Sequence, residues 1–547
     1  VLTWFFLPTI LKHYINRLKP GVEVDSVRLI SLDCVKLGRV HVKLPTIEGT
    51  LDSAVACRKA KTIDIDGGLI IVDITNEYKD QHDGSGFKVT AKNLTVKLVK
   101  GLNFAKLYNT TVDTTSVNAS SAKIETKYGV ASLVGVHYYL KDKLVAFDSG
   151  SVGAPDFLHK VSDLLKLEQI TFTKGIIDVP QRRLILGSVS YPPITLEGLT
   201  LEFDNGLIIP KAKSIQIEHK RFYWKPVTFQ DVAITPIDPK NPTMGQPEYG
   251  DDLWVKSKNA HLYFNWATKR LWGAETCQDW FDAIPDEMKV EPLPQVKLTG
   301  DFTFAVTFAP EVKLHIMNTC KLAKPTPKFI RELEGEFSYV AYHPNGKPFE
   351  RKSGPQAPDW TPYQMISPNM TTALTTTEDP GFFYHRGFIP QAIENSLKDN
   401  LKLGKFFRGG STLSMQLAKN LWLNRSRTIG RKIQEAILTV ALESSLPKDK
   451  IIELYLNIVE YGPDMYGIGP ASYQILKKDP LELSLSEALY LVLRLPRPNH
   501  SASYEHDKPM IKKLLDMVAA SGKVPEDLVE VEKSALDGAP MTGDTDD

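Results

Sequence analysis

Three things are scarce in this sequence, and each scarcity removes a class of protein. Cysteine occurs only as Cys34, Cys57, Cys277 and Cys320. With no CxxC pair and no Cys/His cluster at ligand spacing, the sequence carries no signal of a structural zinc site. Spacing does not choose between four buried thiols and two bridges; the sequence-nearest pairings are Cys34 with Cys57 and Cys277 with Cys320. Net charge is also scarce: Lys+Arg 66 against Asp+Glu 65 leaves +1. No global field draws nucleic acid, so an anionic partner must be held by a local cluster. Long apolar runs are the third absence. VLTWFFLPTIL at the start is shorter than the roughly 20 residues needed to span a bilayer. Residues 1–21 read as the end of a membrane anchor, with an ordinary packed N-terminus as the alternative.

What is present falls into two textures. At about 150 residues per domain, 547 residues suggest three or four domains. From 22 to 325 the apolar pattern has period two, as in KTIDIDGGLIIVDI, FKVTAKNLTVKLV and ITLEGLTLEF, with Gly, Asn and Pro turn signals between. Without a fixed repeat length this predicts a serially built antiparallel sheet. NWATKRLWGAETCQDWFDAI at 265–284 predicts a helical interruption. A Pro/Gly-rich stretch, HPNGKPFERKSGPQAPDWTP, predicts a connector over 326–365. The period then becomes helical over 366–535: Ser367 and Pro368 suit a helix start, and Ser484 with Glu487 a capping box. Residues 536–547 are acidic and apolar-poor and predict a disordered tail. The fold class is α+β and multidomain, a β-rich elongated N-terminal half followed by an all-α domain.

The stretch EDPGFFYHRG places Glu378 and Asp379 at a helix end, stopped by Pro380 and Gly381. Carboxylates there face the negative end of the helix dipole, an arrangement unfavourable for stability and suited to a general base. Next, RGGSTLSMQLAKNLWLNRSRTIGRK opens on glycines and Ser411 and continues into a helix. Behind it, Arg425, Arg427, Arg431 and Lys432 are dense enough to hold a phosphate or diphosphate. In RKIQEAILTVALESSL, Glu435 shares a face with Leu438 and Leu442. A buried carboxylate there needs a cation, a metal or a proton, and the upstream Arg/Lys group is nearest. Asn457 is the odd polar residue in the next apolar helix.

Taken together, these residues resemble the peptidoglycan glycosyltransferases of family GT51, found in penicillin-binding proteins and in monofunctional transglycosylases. The motif EDxxFxxHxG is met by Glu378, Asp379, Phe382, His385 and Gly387. GxSTLTQQLAKN is met by Gly409, Ser411, Thr412, Leu413, Gln416, Leu417, Ala418, Lys419 and Asn420, with Ser414 and Met415 departing from it. RKxxE is Arg431, Lys432 and Glu435. KxxILxxYLNxxxxG is Lys448, Ile451, Tyr455, Leu456, Asn457 and Gly462, with Ile452 for the Leu. Residues 22–325 look faintly like AsmA-type periplasmic envelope proteins.

The resemblance implies a lysozyme-like helical glycosyltransferase domain with a membrane-contacting lobe, for which 388–407 is the candidate. It implies polymerisation of lipid II onto a growing glycan strand by inverting transfer, with loss of undecaprenyl diphosphate. Glu378 and Glu435 become the catalytic candidates. Asp379, His385, Ser411, Thr412, Gln416, Lys419, Asn420, Arg427, Arg431, Lys432 and Asn457 become the substrate-binding ones. It leaves room for Mg2+ or Mn2+ on Glu378, Asp379 or Glu435. An inner-membrane location with periplasmic domains, and association with other cell-wall synthesis proteins, follow in the same way. Transpeptidase triplets such as Lys352-Ser353-Gly354 never assemble in order, so a transferase without a transpeptidase is expected. The rivals are a lytic glycosidase, which has no use for the basic cluster, and a non-catalytic envelope scaffold or lipid-transfer protein.

Overall fold

The computed structural model describes residues 21–44, 47–72, 88–98, 104–112, 115–126, 129–139, 141–153, 169–204, 207–236, 253–265, 268–308, 311–403, 410–499 and 503–538, with short pieces of the first twenty. The expected anchor at 1–21 lies mostly outside these residues, and so does the tail from 539 onward; 536–538 close a helix. No helix among the described residues is long and apolar enough to cross a membrane. The chain forms two compact units, one of residues 1–218 with 230–236, the other of 219–229 with 237–547.

The first unit is sheet. Strands from Phe104–Val112 to Leu207–Ile217 follow one another as an antiparallel meander. Alternation sends Ala119, Leu133, Phe147, Leu186, Val189 and Leu199 into one apolar cluster. Phe147 lies directly opposite Gly175, where a Cβ would overlap its ring, so glycine makes room for the aromatic. Asn109, Gly135, Lys174 and Gly198 have positive φ where the ladders skip. Their irregularities line up from strand to strand, the kind of feature that raises local twist in a sheet. One pairing departs from the expected antiparallel order: Thr62–Val72 runs parallel to Lys88–Leu98. A period-two pattern fixes faces and not direction, so the sequence left this open. Cys34 and Cys57 face each other across an antiparallel pair and form a disulfide.

The second unit contains a five-stranded antiparallel run, Leu253–Ser257, Ala260–Asn265, Arg270–Thr276, Asp301–Thr307 and Lys313–Asn318. The helical interruption expected over 265–284 is corrected here. Arg270–Thr276 is strand, and the helix is only Cys277–Ala283 (α1), started by the Thr276 hydroxyl accepting from Asp279 N–H. Cys277 is disulfide-bonded to Cys320. The connector expected over 326–365 is also corrected. Phe329, Ile330, Leu333, Phe337, Tyr339 and Ala341 are buried in the same core as the helices. The Pro/Gly signals mark turns around the hairpin Phe337–Tyr342/Pro348–Ser353 rather than a linker.

The helices follow: α2 Pro368–Thr377, α3 Pro390–Leu403, α4 Leu413–Trp422, α5 Ile429–Ser445, α6 Lys448–Ile458, α7 Leu485–Arg494, α8 Tyr504–Ala520 and α9 Glu526–Gly538. Ser484 and Glu487 form the expected capping box of α7. Apolar residues surround α6 on nearly every side, so it is the central helix: Ile451, Ile452, Leu454, Tyr455 and Leu456 are all fully buried. Each such aliphatic side chain contributes about 1.5–3 kcal/mol on burial. Of the candidate membrane-contacting stretch, α3 is described and 404–409 is not; Leu314 N–H donates to Glu394 of α3 at 2.8 Å.

Candidate active site

Glu378 is the C-cap of α2, its N–H donating to Leu374 O at 2.9 Å. The expected placement of a carboxylate at the unfavourable end of a helix is what the backbone adopts. Its Oε2 accepts from Gln416 Nε2 at 3.2 Å, and Gln416 Oε1 accepts in turn from the Tyr455 hydroxyl at 2.9 Å. The amide of Gln416 on α4 therefore joins a half-buried carboxylate to a fully buried phenol on α6. Burial pushes the Tyr455 hydroxyl far above its ordinary range, and the Glu378 charge pushes the same way, so it stays a donor.

Asp379 takes a different path from its neighbour. It is 1% exposed; Oδ1 meets His385 Nε2 at 2.8 Å and Oδ2 accepts from Leu413 N–H at 3.0 Å, at the start of α4. Its charge lies at the favourable end of a second helix. His385 Nδ1 accepts from Gly387 N–H at 3.0 Å, so the ring proton sits on Nε2 and points at Asp379. Gly387 has φ +85° and a Cβ there would meet Thr439 Cγ2 at 2.6 Å, which requires glycine. Thr412 caps α4, accepting from Met415 N–H while its hydroxyl donates to Gly387 O at 2.7 Å. Asp379, His385 and Thr412 thus fasten the turn after α2 to the start of α4.

The third motif forms an ion-pair centre. Glu435 is 1% exposed, with Arg431 on Oε2 and Lys432 on Oε1; Lys432 also reaches the Ser411 hydroxyl. The partners expected from sequence are the ones it has, at i−4 and i−3 on α5. Lys419 is held below the usual lysine range, first by burial, then by Arg431, Lys432 and Arg425, with Glu435 opposing them. A cavity of about 450 Å³ opens beside these groups. Its walls carry Gln416, Lys419, Asn420, Arg425, Arg427, Arg431 and Tyr455. Four cations around one cavity suit a diphosphate.

Asn457 is corrected. At 3% exposure its amide is spent on Thr361 N–H, Thr361 O and Glu453 O, each at 2.8 Å, so it stitches the chain before α2 onto α6 and has no side left for substrate. Conversely, Arg425 pairs with buried Glu460 at 2.8 Å and stacks over Tyr342 at 4.2 Å, on the cavity wall. Glu460, an acid beside the apolar α6, was the sequence signal for that pair. The departures from the second motif are absorbed: Ser414 bonds to Glu443, which also pairs with Lys448 at 2.8 Å, and Met415 is buried.

Of the residues expected to admit Mg2+ or Mn2+, Glu378 offers a half-buried carboxylate bonded to Gln416 through Oε2. Both oxygens of Asp379 and of Glu435 are taken by donors of the chain, and no group of three or more His, Cys, Asp or Glu among the described residues is placed to hold a metal ion.

Residues 345–520 match the family model described as Transglycosylase. A biosynthetic peptidoglycan transglycosylase of Chromobacterium violaceum is 41% identical over 154 residues, 28% of this chain and 68% of that protein. Proteins of the same name from Neisseria meningitidis serogroup C (40% over 169 residues, 30% and 72%) and Methylobacillus flagellatus (34% over 185 residues, 32% and 81%) are similarly related. The helical region is thus the part shared with known enzymes, and the chain belongs to the transglycosylase family.

Proposed function

We propose that this peptidoglycan glycosyltransferase polymerises lipid II, with Glu378 as the general base. The acceptor GlcNAc 4-hydroxyl attacks the anomeric carbon of the donor MurNAc as its proton passes to Glu378. The bond from that carbon to the diphosphate breaks, and undecaprenyl diphosphate leaves with inversion. Lys419, Arg425, Arg427 and Arg431 neutralise the departing diphosphate, and Glu435 keeps Arg431 and Lys432 in place. One observation carries the reading: a carboxylate at a helix end is tied through a single glutamine to the wall of a cavity lined by four cations. No step is routed through a metal ion.

The substrate is lipid-linked, so the domain works at the outer face of the inner membrane, with residues 1–21 as the end of an anchor in that membrane and the AsmA-like β-rich half as a periplasmic part of the same chain. No transpeptidase activity is assigned. The Lys352-Ser353-Gly354 triplet ends a hairpin strand. Incubating the chain with lipid II and resolving the products tests the proposal. Glycan polymer from the unaltered chain and none from Glu378→Gln is expected. Equal polymerisation by both removes the base assignment, and cleavage of preformed glycan without polymer removes the transferase reading.

A further inference from the structure

The helix that supplies Arg431 and Lys432 is held from outside the family-matched residues. Two of the first N–H groups at its start, which a helix cannot satisfy internally, are taken by a segment some two hundred positions upstream. Ile429 N–H donates to Arg221 O at 3.0 Å and Gly430 N–H to Phe222 O at 2.8 Å. One turn on, Gln434 is 3% exposed, and its Nε2 donates to the Tyr223 hydroxyl at 3.1 Å and to Met288 O at 2.6 Å. Tyr223 is itself 3% exposed, and it lies so close that a Cβ on Gly430 would stand 2.6 Å from its Cδ2. Thr228 N–H donates to Glu287, closing the segment onto the turn that carries Met288.

We propose that residues 219–229 form a positioning element of the transferase: through Arg221 O, Phe222 O and Tyr223 they set the rotation of the first turn of α5, and so the pose in which Arg431 meets a diphosphate. The proposal rests on the diphosphate reading of that cluster. Three hydrogen bonds at successive and one-turn-removed positions fix the direction of the first turn about the helix axis, where the apolar packing of Leu438, Ala441 and Leu442 further along α5 does not reach. Arg431 and Lys432 lie between the two sets of bonds, where a small rotation moves both side-chain ends. The segment lies outside residues 345–520, so it is a property of this chain beyond the region shared with the family.

The test is calorimetric binding of inorganic pyrophosphate to the full chain. Gln434→Met keeps the volume and removes both hydrogen bonds; Tyr223→Phe keeps the ring and removes one. Each is expected to weaken pyrophosphate binding by about three- to tenfold, and the double variant is expected to be no weaker than Gln434→Met. Leu536→Ala, which lowers the melting temperature from a remote part of the core, serves as the stability control and is expected to leave the affinity unchanged. Unchanged affinity in Gln434→Met, or equal weakening by Leu536→Ala, overturns the proposal. An unaltered chain that binds no pyrophosphate overturns it together with the diphosphate assignment. Binding without lipid II polymerisation removes only the catalytic reading.

Discussion

Gln416 offers its amide N–H to Glu378 because Tyr455 has already claimed the other end of the amide. An amide free to turn could present either its oxygen or its nitrogen to a carboxylate, and the oxygen would repel it. The buried phenol removes that freedom and fixes a donor toward the carboxylate.

Tyr455→Phe removes the lock and leaves Gln416 Oε1 without its partner. Turnover of lipid II is expected to fall about tenfold with KM little changed, the loss of roughly one hydrogen bond in the positioning of the base. Steady-state kinetics check it, and a variant with unchanged kcat would show that the glutamine is held by other means.

Lys419 loses its proton at lower pH than an ordinary lysine. A diphosphate prefers the charged cluster, so as pH rises through that lowered pKa, kcat/KM for lipid II falls. The alkaline limb therefore lies below the usual lysine value of about 10.4. Lys419→Arg keeps its charge through this range and moves the limb upward. Identical pH profiles for the two proteins would assign the limb to another group.

Asp379→Ala leaves Leu413 N–H and the His385 ring proton without their acceptor inside the fold. A loss of about 2–4 kcal/mol in unfolding free energy is expected, read by urea titration. Activity should fall in step with stability, and an inactive variant of full stability would instead place Asp379 in the chemistry.

The disulfide Cys277–Cys320 closes a loop with a sequence separation of 43 in the second unit. On the chain-entropy account, reduction costs that unit about 4 kcal/mol. Urea unfolding with and without reductant, in a Cys34→Ser/Cys57→Ser background, measures it; coincident curves would mean that packing holds the segment without the bridge.

How much of this was legible depended on the distance over which each group is satisfied. Glu435 could be paired by reading, because Arg431 and Lys432 lie one helical turn away and helix geometry fixes the approach. Asp379 could not, since one partner is a backbone N–H at a separation of 34 that only the fold brings close. Asn457 was misread for a related reason: a lone polar side chain in an apolar helix looks the same whether it serves a ligand or a backbone carbonyl. Strand periodicity marked the sheet of the first unit and its faces, yet the parallel pair at 62–72 and 88–98 depends on where the chain returns. The connector failed because Pro and Gly mark a tight hairpin as strongly as they mark a linker, while the alternation of FSYVAY was the signal for burial.

The single core of the second unit has a practical consequence for handling the enzyme. Leu293, Phe329, Ile330, Leu333 and Phe337 pack with Leu417, Leu438 and Leu454, yet all five precede residue 345. A fragment cut at the boundary of the family-matched region would expose that apolar surface to water and invite aggregation. The smallest soluble piece is expected to reach back to residues 219–229, which belong to the same unit and pack on the start of α5, so solubility, rather than sequence similarity, sets where the catalytic part of this chain starts.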